Sequence, residues 1–332
     1  MTIARHRVKI ASLGSYLPAH VVSTTDLESR WGTPKGRIQR VTGVEERRYE
    51  TAKTSVEMAA AAARAALTNA GMAVSDIDML IGASAIPQQV LPCMAALIQR
   101  ELGNVEGAYC LDIDATCLSF VTALHLSTLL ICSGEAERIL ICSSEKASQS
   151  LNPKQWESAG LFGDAAAAAV LTRTPAGESS CVEGSRFETY ASGAHLTTAL
   201  GGGTLHHPND PETQHDHNLF NMDGPGVLRM AAERYGPFLA RFLEDADRKP
   251  CDYDFVVPHQ ASRSGLQLLT ARYGFREEQI VRNLSHRGNC VAASIPLAFA
   301  EAVESGLIHR GHRILLTGTA AGLSLGVLEL VF

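Results

Sequence analysis

The chain has 332 residues, 45% hydrophobic and 19% charged, the profile of a globular protein and not of a disordered or fibrous one. A net charge of −6 argues against a wide nucleic-acid-binding face, which needs clustered Lys and Arg. No membrane span is expected: the best apolar stretch, Phe120 to Cys132, is interrupted by His125, Ser127 and Thr128 and falls short of the roughly 18 residues required.

The first residues, Met1 to Gly14, are basic, but their apolar part is short and alternating, which predicts a strand at Val8 to Leu13 and no signal peptide. Ser55 to Ala70 predicts a long alanine-rich helix stopped by Gly71. Strands follow at Asp78 to Ala83, Ala108 to Ile113 and Arg138 to Cys142, and helices at Cys93 to Leu102 and Cys117 to Cys132. Apolar strands joined by helices predict an α/β protein with a sheet covered on both faces.

The second half repeats this order. Asp252-Tyr253-Asp254 before Phe255 to Val257 echoes Asp76-Ile77-Asp78 before Met79 to Ile81. Arg313 to Leu316 echoes Arg138 to Ile141, and the helix opening at Gly288-Asn289-Cys290 matches the one at Cys117. From Cys117 to the closing Gly134 and from Asn289 to the closing Gly306 are both 17 residues, so Cys117 and Asn289 would occupy equivalent places. Two similar halves are expected, residues 1–174 and 175–332, with a boundary near Thr172 to Glu178.

Eight cysteines without a CxxC pair argue against a zinc ribbon or a dithiol redox site, and reduced thiols in the cytoplasm are expected. His206, His207, Asp210, His215, Asp216 and His217 lie between Pro-containing turns at spacings that fit no zinc pattern, so a solvated loop and no metal site are expected.

Three residues stand out. Cys117 begins a buried helix, where free N–H groups and the helix dipole favour thiolate. Its other reading is a packing cysteine. His259 leaves the strand Phe255 to Val257 at the sheet's carboxyl edge, where ligands bind in open α/β sheets, or it is a satisfied turn histidine. Asn289 is either a helix N-cap or a donor. Convergence of the two helix starts would bring all three together.

Here the sequence resembles the β-ketoacyl-acyl-carrier-protein synthase III family of the thiolase-like superfamily. The resemblance rests on Gly14-Ser15-Tyr16-Leu17-Pro18, Thr42 to Arg48, Asp112 to Cys117, Leu161 to Ala166, Val257 to Ala261, Gly288 to Pro296 and Gly322 to Gly326. It implies a five-layered αβαβα fold, a homodimer and a Cys-His-Asn triad, met here by Cys117, His259 and Asn289. By the same resemblance an acyl-CoA would acylate Cys117, with the N–H groups of Cys117 and Ala321 holding the oxyanion. His259 and Asn289 would then stabilise the enolate of a malonyl thioester on CoA or acyl carrier protein. No cofactor is implied.

Phe162 and Leu91 fall on family positions that contact the acyl chain, and Leu91 stands where an aromatic residue often reaches into the partner's pocket. Arg37 and Trp156 would sandwich the CoA adenine, with the usual residue types exchanged. Arg229, Arg263 and Arg272 lie on or beside basic positions that would dock the carrier protein. These departures suggest a specialised paralogue. The alternatives are acyl transfer or non-decarboxylative condensation on the same fold, and a non-catalytic partner subunit. Non-decarboxylative condensation needs a base, and Gly82 to Pro92 offers Gln88 and Gln89 but no carboxylate.

Overall fold

The computed structural model describes residues 5–103 and 107–332; residues 1–4 of the basic N-terminal stretch lie outside the described residues. Two sheets carry the molecule. The first contains β1 (Val8–Tyr16), β2 (Met79–Gly82), β3 (Tyr109–Asp112), β4 (Arg138–Glu145) and β5 (Ala165–Arg173), in the order β1-β5-β4-β2-β3. The second contains β6 (Cys181–Thr189), β7 (Phe255–Pro258), β8 (Arg313–Ala320) and β9 (Ser324–Val331), in the order β6-β9-β8-β7. Directions match as well: β1/β5 and β5/β4 are antiparallel and β4/β2 parallel, as are β6/β9, β9/β8 and β8/β7 respectively. Even the fifth strand leaves a trace, a parallel bridge from Val256 to Ile280.

The repeated Asp-x-Asp explains part of this likeness. Asp78 accepts from the Arg138 N–H at 2.8 Å and Asp254 from the Arg313 N–H at 2.7 Å, so each acid fixes its strand against its neighbour.

Helices complete five layers. On the outer face of the first sheet lie α1 (Ser55–Ala70) and α2 (Met94–Glu101). The start of α1 is set by a capping box between Thr54 and Glu57, and its end by left-handed Gly71. Its small side chains let it approach closely: a Cβ at Gly14 would run into the Ala62–Ala66 backbone. Between the sheets lie α3 (Ser119–Ser133) and α5 (Ser294–Glu304), packed against residues of both. On the far face of the second sheet, α4 (Gly224–Ala246) buries Tyr235, Phe238, Leu239 and Phe242.

With its preceding turn, α3 runs from Thr116 to Ser133, long and apolar enough to cross a membrane. Half of that stretch is buried, with Phe120, Val121, Ala123, Leu124 and Ile131 packed between the two sheets, while Leu126 and Leu129 are exposed. The His-rich segment is exposed. His206 and His217 stack with ring centroids 3.7 Å apart, and Asp216 pairs with Lys154 at 2.7 Å. Among the described residues no three His, Cys, Asp or Glu side chains gather as a metal cluster.

Candidate active site

Cys117 sits in a 3-10 turn, Thr116–Leu118, that feeds α3. The turn is built by side chains. Asp114 Oδ1 accepts from the Thr116 N–H at 2.8 Å, and Ser119 Oγ accepts from the Ala115 N–H at 3.0 Å. Thr116 is thereby held at φ 50°, a left-handed conformation costly for a β-branched residue. The strain aims the next residue: the N–H groups of Cys117 and Ala321 both act on the Cys117 sulfur. The helix-start position was expected to lower the thiol pKa. Burial outweighs it and, with Glu145 nearby, pushes Cys117 up to about 12, while the two N–H groups pull the other way.

His259 follows β7, and its N–H donates to Thr317 O at 2.8 Å. It is only 5% exposed, and burial holds its pKa down at about 4, so the ring is neutral at ordinary pH. Its Nδ1 has no partner among the described residues. Gly318 on β8 makes room for it: a Cβ there would lie 2.6 Å from the His259 Cβ.

Asn289 is 6% exposed and is clamped to the Phe162 loop on both sides of its own backbone. Its N–H donates to Leu161 O at 2.8 Å and its C=O accepts from the Gly163 N–H at 3.1 Å. Its Oδ1 accepts from the Val291 N–H at 2.8 Å, and Val291 is held at φ 50°. Ser294 Oγ accepts from the Cys290 N–H at 2.9 Å. This is the Cys117 turn repeated, and it corrects the equivalence read from spacing. Asn289 corresponds to Asp114, Val291 to Thr116 and Ser294 to Ser119. The counterpart of Cys117 is Ala292. The spacing misled because α3 runs for 15 residues and α5 for 11, so the distance to the closing glycine is not conserved.

Cys117, His259, Asn289, Ala321 and Phe162 line one cavity of about 1210 Å³. Its wall is largely apolar, with Phe162 edge-on to Phe220 at 4.7 Å and Leu228, Leu269 and Tyr235 contributed by α4 and the helix Arg263–Arg272. Leu91 is not brought there. It is 80% exposed beside Val90, which is 79% exposed and does line the cavity. Arg37 and Trp156 do meet, with the guanidinium carbon 5.2 Å from the ring centroid. They cover each other, and a ring between them needs about 7 Å, twice a stacking distance. The gap is closed in this conformation. Arg229, Arg263 and Arg272 are exposed on the helices that wall the cavity. In the motif Thr42 to Arg48, Thr42 lines the cavity and buried Arg47 donates to Gly160 O at 2.7 Å, supporting the Phe162 loop.

One buried acid was missed. Glu145 closes β4 at 0% exposure, accepting from the Ala85 N–H at 2.7 Å and the Ile86 N–H at 3.2 Å. The available signal was a charge ending the apolar run Ile139 to Cys142, in a sheet covered on both faces.

With the geometry in place, the comparisons are specific. Residues 111–191 match the family model for 3-oxoacyl-[acyl-carrier-protein] synthase III, and residues 243–331 match the model for its C-terminal part. The chain is 32% identical over 323 residues to the β-ketoacyl-[acyl-carrier-protein] synthase III of Clostridium perfringens, covering 96% of this chain and 97% of that one. It is 33% identical over 326 residues to the enzyme of that name from Neisseria gonorrhoeae, covering 98% and 99%. The crystal structure of the Aquifex aeolicus synthase III superposes with a TM-score of 0.89 at 31% identity, over 98% of this chain and 100% of that one. Xanthomonas campestris OleA, 20% identical, shares the fold with a TM-score of 0.88 over the full length of both chains. The chain belongs to the β-ketoacyl-acyl-carrier-protein synthase III family, condensing acyltransferases of the thiolase-like superfamily.

Proposed function

We propose that this protein joins an acyl-CoA primer to a malonyl thioester by decarboxylative Claisen condensation, with Cys117 as nucleophile and His259 and Asn289 as enolate donors. The observation that carries the reading is that these three side chains and the Ala321 backbone open into one apolar cavity. Cys117 sulfur attacks the thioester carbonyl, the carbon–sulfur bond to CoA breaks, and CoA departs as thiol with the proton given up by Cys117. The N–H groups of Cys117 and Ala321 hold the transient oxyanion. Malonyl thioester then loses CO₂, leaving its electron pair as an enolate. The neutral His259 ring and the Asn289 Nδ2 each donate to the enolate oxygen. The enolate carbon attacks the acyl-cysteine, and the Cys117 thiolate leaves.

The domain division at 174/175 follows from the repeated strand order, which would place one helix-start turn in each half. Exposed Val90 and Leu91 suit burial against a second copy, so a homodimer is part of the proposal. The exposed arginines Arg229, Arg263 and Arg272 suit an acidic carrier protein. Arg37 and Trp156 would part to admit an adenine. A cytoplasmic setting, no cofactor and a role as a specialised paralogue complete the reading. The test is intact mass after incubation with a panel of acyl-CoAs. An acyl adduct on the parent, absent in Cys117→Ala, is expected; no adduct with any thioester overturns the reading.

A further inference from the structure

We propose that the acyl chain of the primer lies in a limb of the cavity beneath α4, and that Tyr273 closes the far end of this limb and so sets the chain length accepted. This deepens the synthase reading and rests on Cys117 as the nucleophile. The cavity is larger than an acetyl primer needs. Its volume of about 1210 Å³ exceeds the roughly 300–1,000 Å³ that encloses a whole drug-sized ligand. Two separate apolar clusters share its wall. Cys117 packs with Leu161, Phe162 and Phe220 in one. Tyr235, Leu269 and Leu323, with Ala231 and Tyr273 against them, form the other on the far face of the second sheet. The end of β8 stands between the two. A Cβ on Gly318 would lie 3.5 Å from Leu118 Cδ2, so Gly318 faces the Cys117 turn. Thr317 faces α4, its hydroxyl bonded to that of Tyr235 at 2.7 Å. Both line the cavity, as do Thr319 and Ala321.

Two helices bound the limb and leave room within it. On α4, Leu228, Ala231 and Tyr235 line the cavity at helical spacing, hence from one face. Opposite them, Gly265 and Leu269 line it from the helix Arg263–Arg272. A Cβ at Gly265 would meet only the Ser262 hydroxyl, 3.3 Å away, so the notch beside it stays open. The far end is a single ring. Tyr273 lines the cavity on one side and, on the other, a surface groove with Gly236, Leu239, Ala240 and Leu243. The ring lies against α4 where Gly236 has no side chain, since a Cβ there would sit 3.3 Å from Tyr273 Cε1. Tyr235 is tethered by Thr317, whereas the Tyr273 hydroxyl has no partner among the described residues. The plug is packed but not tied. From Ala321 back to Thr317 the strand spans about 13 Å. With a C–C bond of about 1.5 Å, an extended alkyl chain of about ten carbons covers that distance.

Acylation of Cys117 is timed by intact mass with saturated acyl-CoAs from acetyl to hexadecanoyl. The parent is expected to take decanoyl at least as fast as acetyl. Tyr273→Ala removes the end wall, and the longest chain accepted is expected to grow by about four carbons, the length of the lost ring. Ala231→Phe fills the limb partway, and its ratio of decanoyl to acetyl rate is expected to fall at least about tenfold. That ratio separates a blocked limb from a damaged fold, which would lower both rates together. No adduct with any thioester overturns the synthase reading and the limb with it. Acetylation of the parent without decanoylation, or identical chain-length profiles in all three proteins, overturns the limb alone. Should the variants not fold, the parent's own profile decides.

Discussion

The two helix-start turns, Asp114–Ser119 and Asn289–Ser294, share a backbone and differ in what they present. Both hold a β-branched residue at φ 50°, both cap with an acid or amide oxygen at 2.8 Å, and both close with a serine hydroxyl. Yet where the first has Cys117 the second has Ala292, and where the second has Asn289 the first has Asp114. The same contrast appears one strand away. His259 and Ala83 both donate their N–H to the neighbouring strand, at 2.8 and 2.7 Å, and beside them stand Gly318 and Ser143 respectively. Ser143 donates to Ala83 O at 2.6 Å, filling the room that Gly318 leaves for the imidazole. One frame thus carries two different sets of side chains: Cys117 in one turn, Asn289 in the other with His259 on the strand beside it.

The largest effect should come from making the turns alike. Asn289→Asp installs the residue that Asp114 already is. Its Oδ1 still accepts from the Val291 N–H, so the backbone holds. The amide donor becomes a carboxylate facing a developing enolate. CO₂ release is expected to fall by about 10²–10³, the usual cost of one such donor, while intact mass still shows acylation of Cys117. Unchanged CO₂ release would remove Asn289 from the chemistry.

Much of this frame could be read from the residues because it rests on local rules. Gly71 and Gly134 stop helices, Asp78 and Asp254 announce strands, and the strands that follow are continuously apolar, as a sheet covered on both faces demands. What could not be read was the pairing of turns. It depends on φ at Thr116 and Val291, and β-branched residues do not advertise a left-handed conformation. Glu145 escaped for a related reason, since its partners are backbone N–H groups about sixty residues upstream. Leu91 was placed by analogy in the acyl pocket of a partner subunit, a contact that one chain alone does not contain.

The next effect tests the Gly318–Ser143 contrast. In Gly318→Ala the new methyl would sit 2.6 Å from the His259 Cβ, an atom fixed by β7 and unable to swing aside. The imidazole must shift by about an ångström, a misplacement that costs up to about 10² in rate. CO₂ release from acylated enzyme should drop by roughly 10- to 100-fold, with Cys117 acylation little changed. The mirror substitution, Ser143→Gly, leaves the reaction geometry alone and costs stability through one lost buried hydrogen bond, about 1 kcal/mol by urea denaturation. If both variants lost CO₂ release equally, the division between the halves would fail.

The smallest expected effect is an absence of change with pH. His259 is buried, and its pKa is held at about 4 instead of the usual 6.5. Protons therefore bind the unfolded ring before the folded one, and the stability this buried neutral ring contributes is complete above 6.5 and lost as pH falls toward 4. Within the folded enzyme the ring stays neutral over that interval. On enzyme already acylated at Cys117, CO₂ release should stay level from about pH 7 to pH 5. An ordinary histidine would lose its neutral form about 25-fold over the same span. A limb centred near 6.5 would mean that solvent reaches the ring. His259 would then be placed as openly as an ordinary surface histidine, and burial would not be what separates it from its silent counterpart, Ala83.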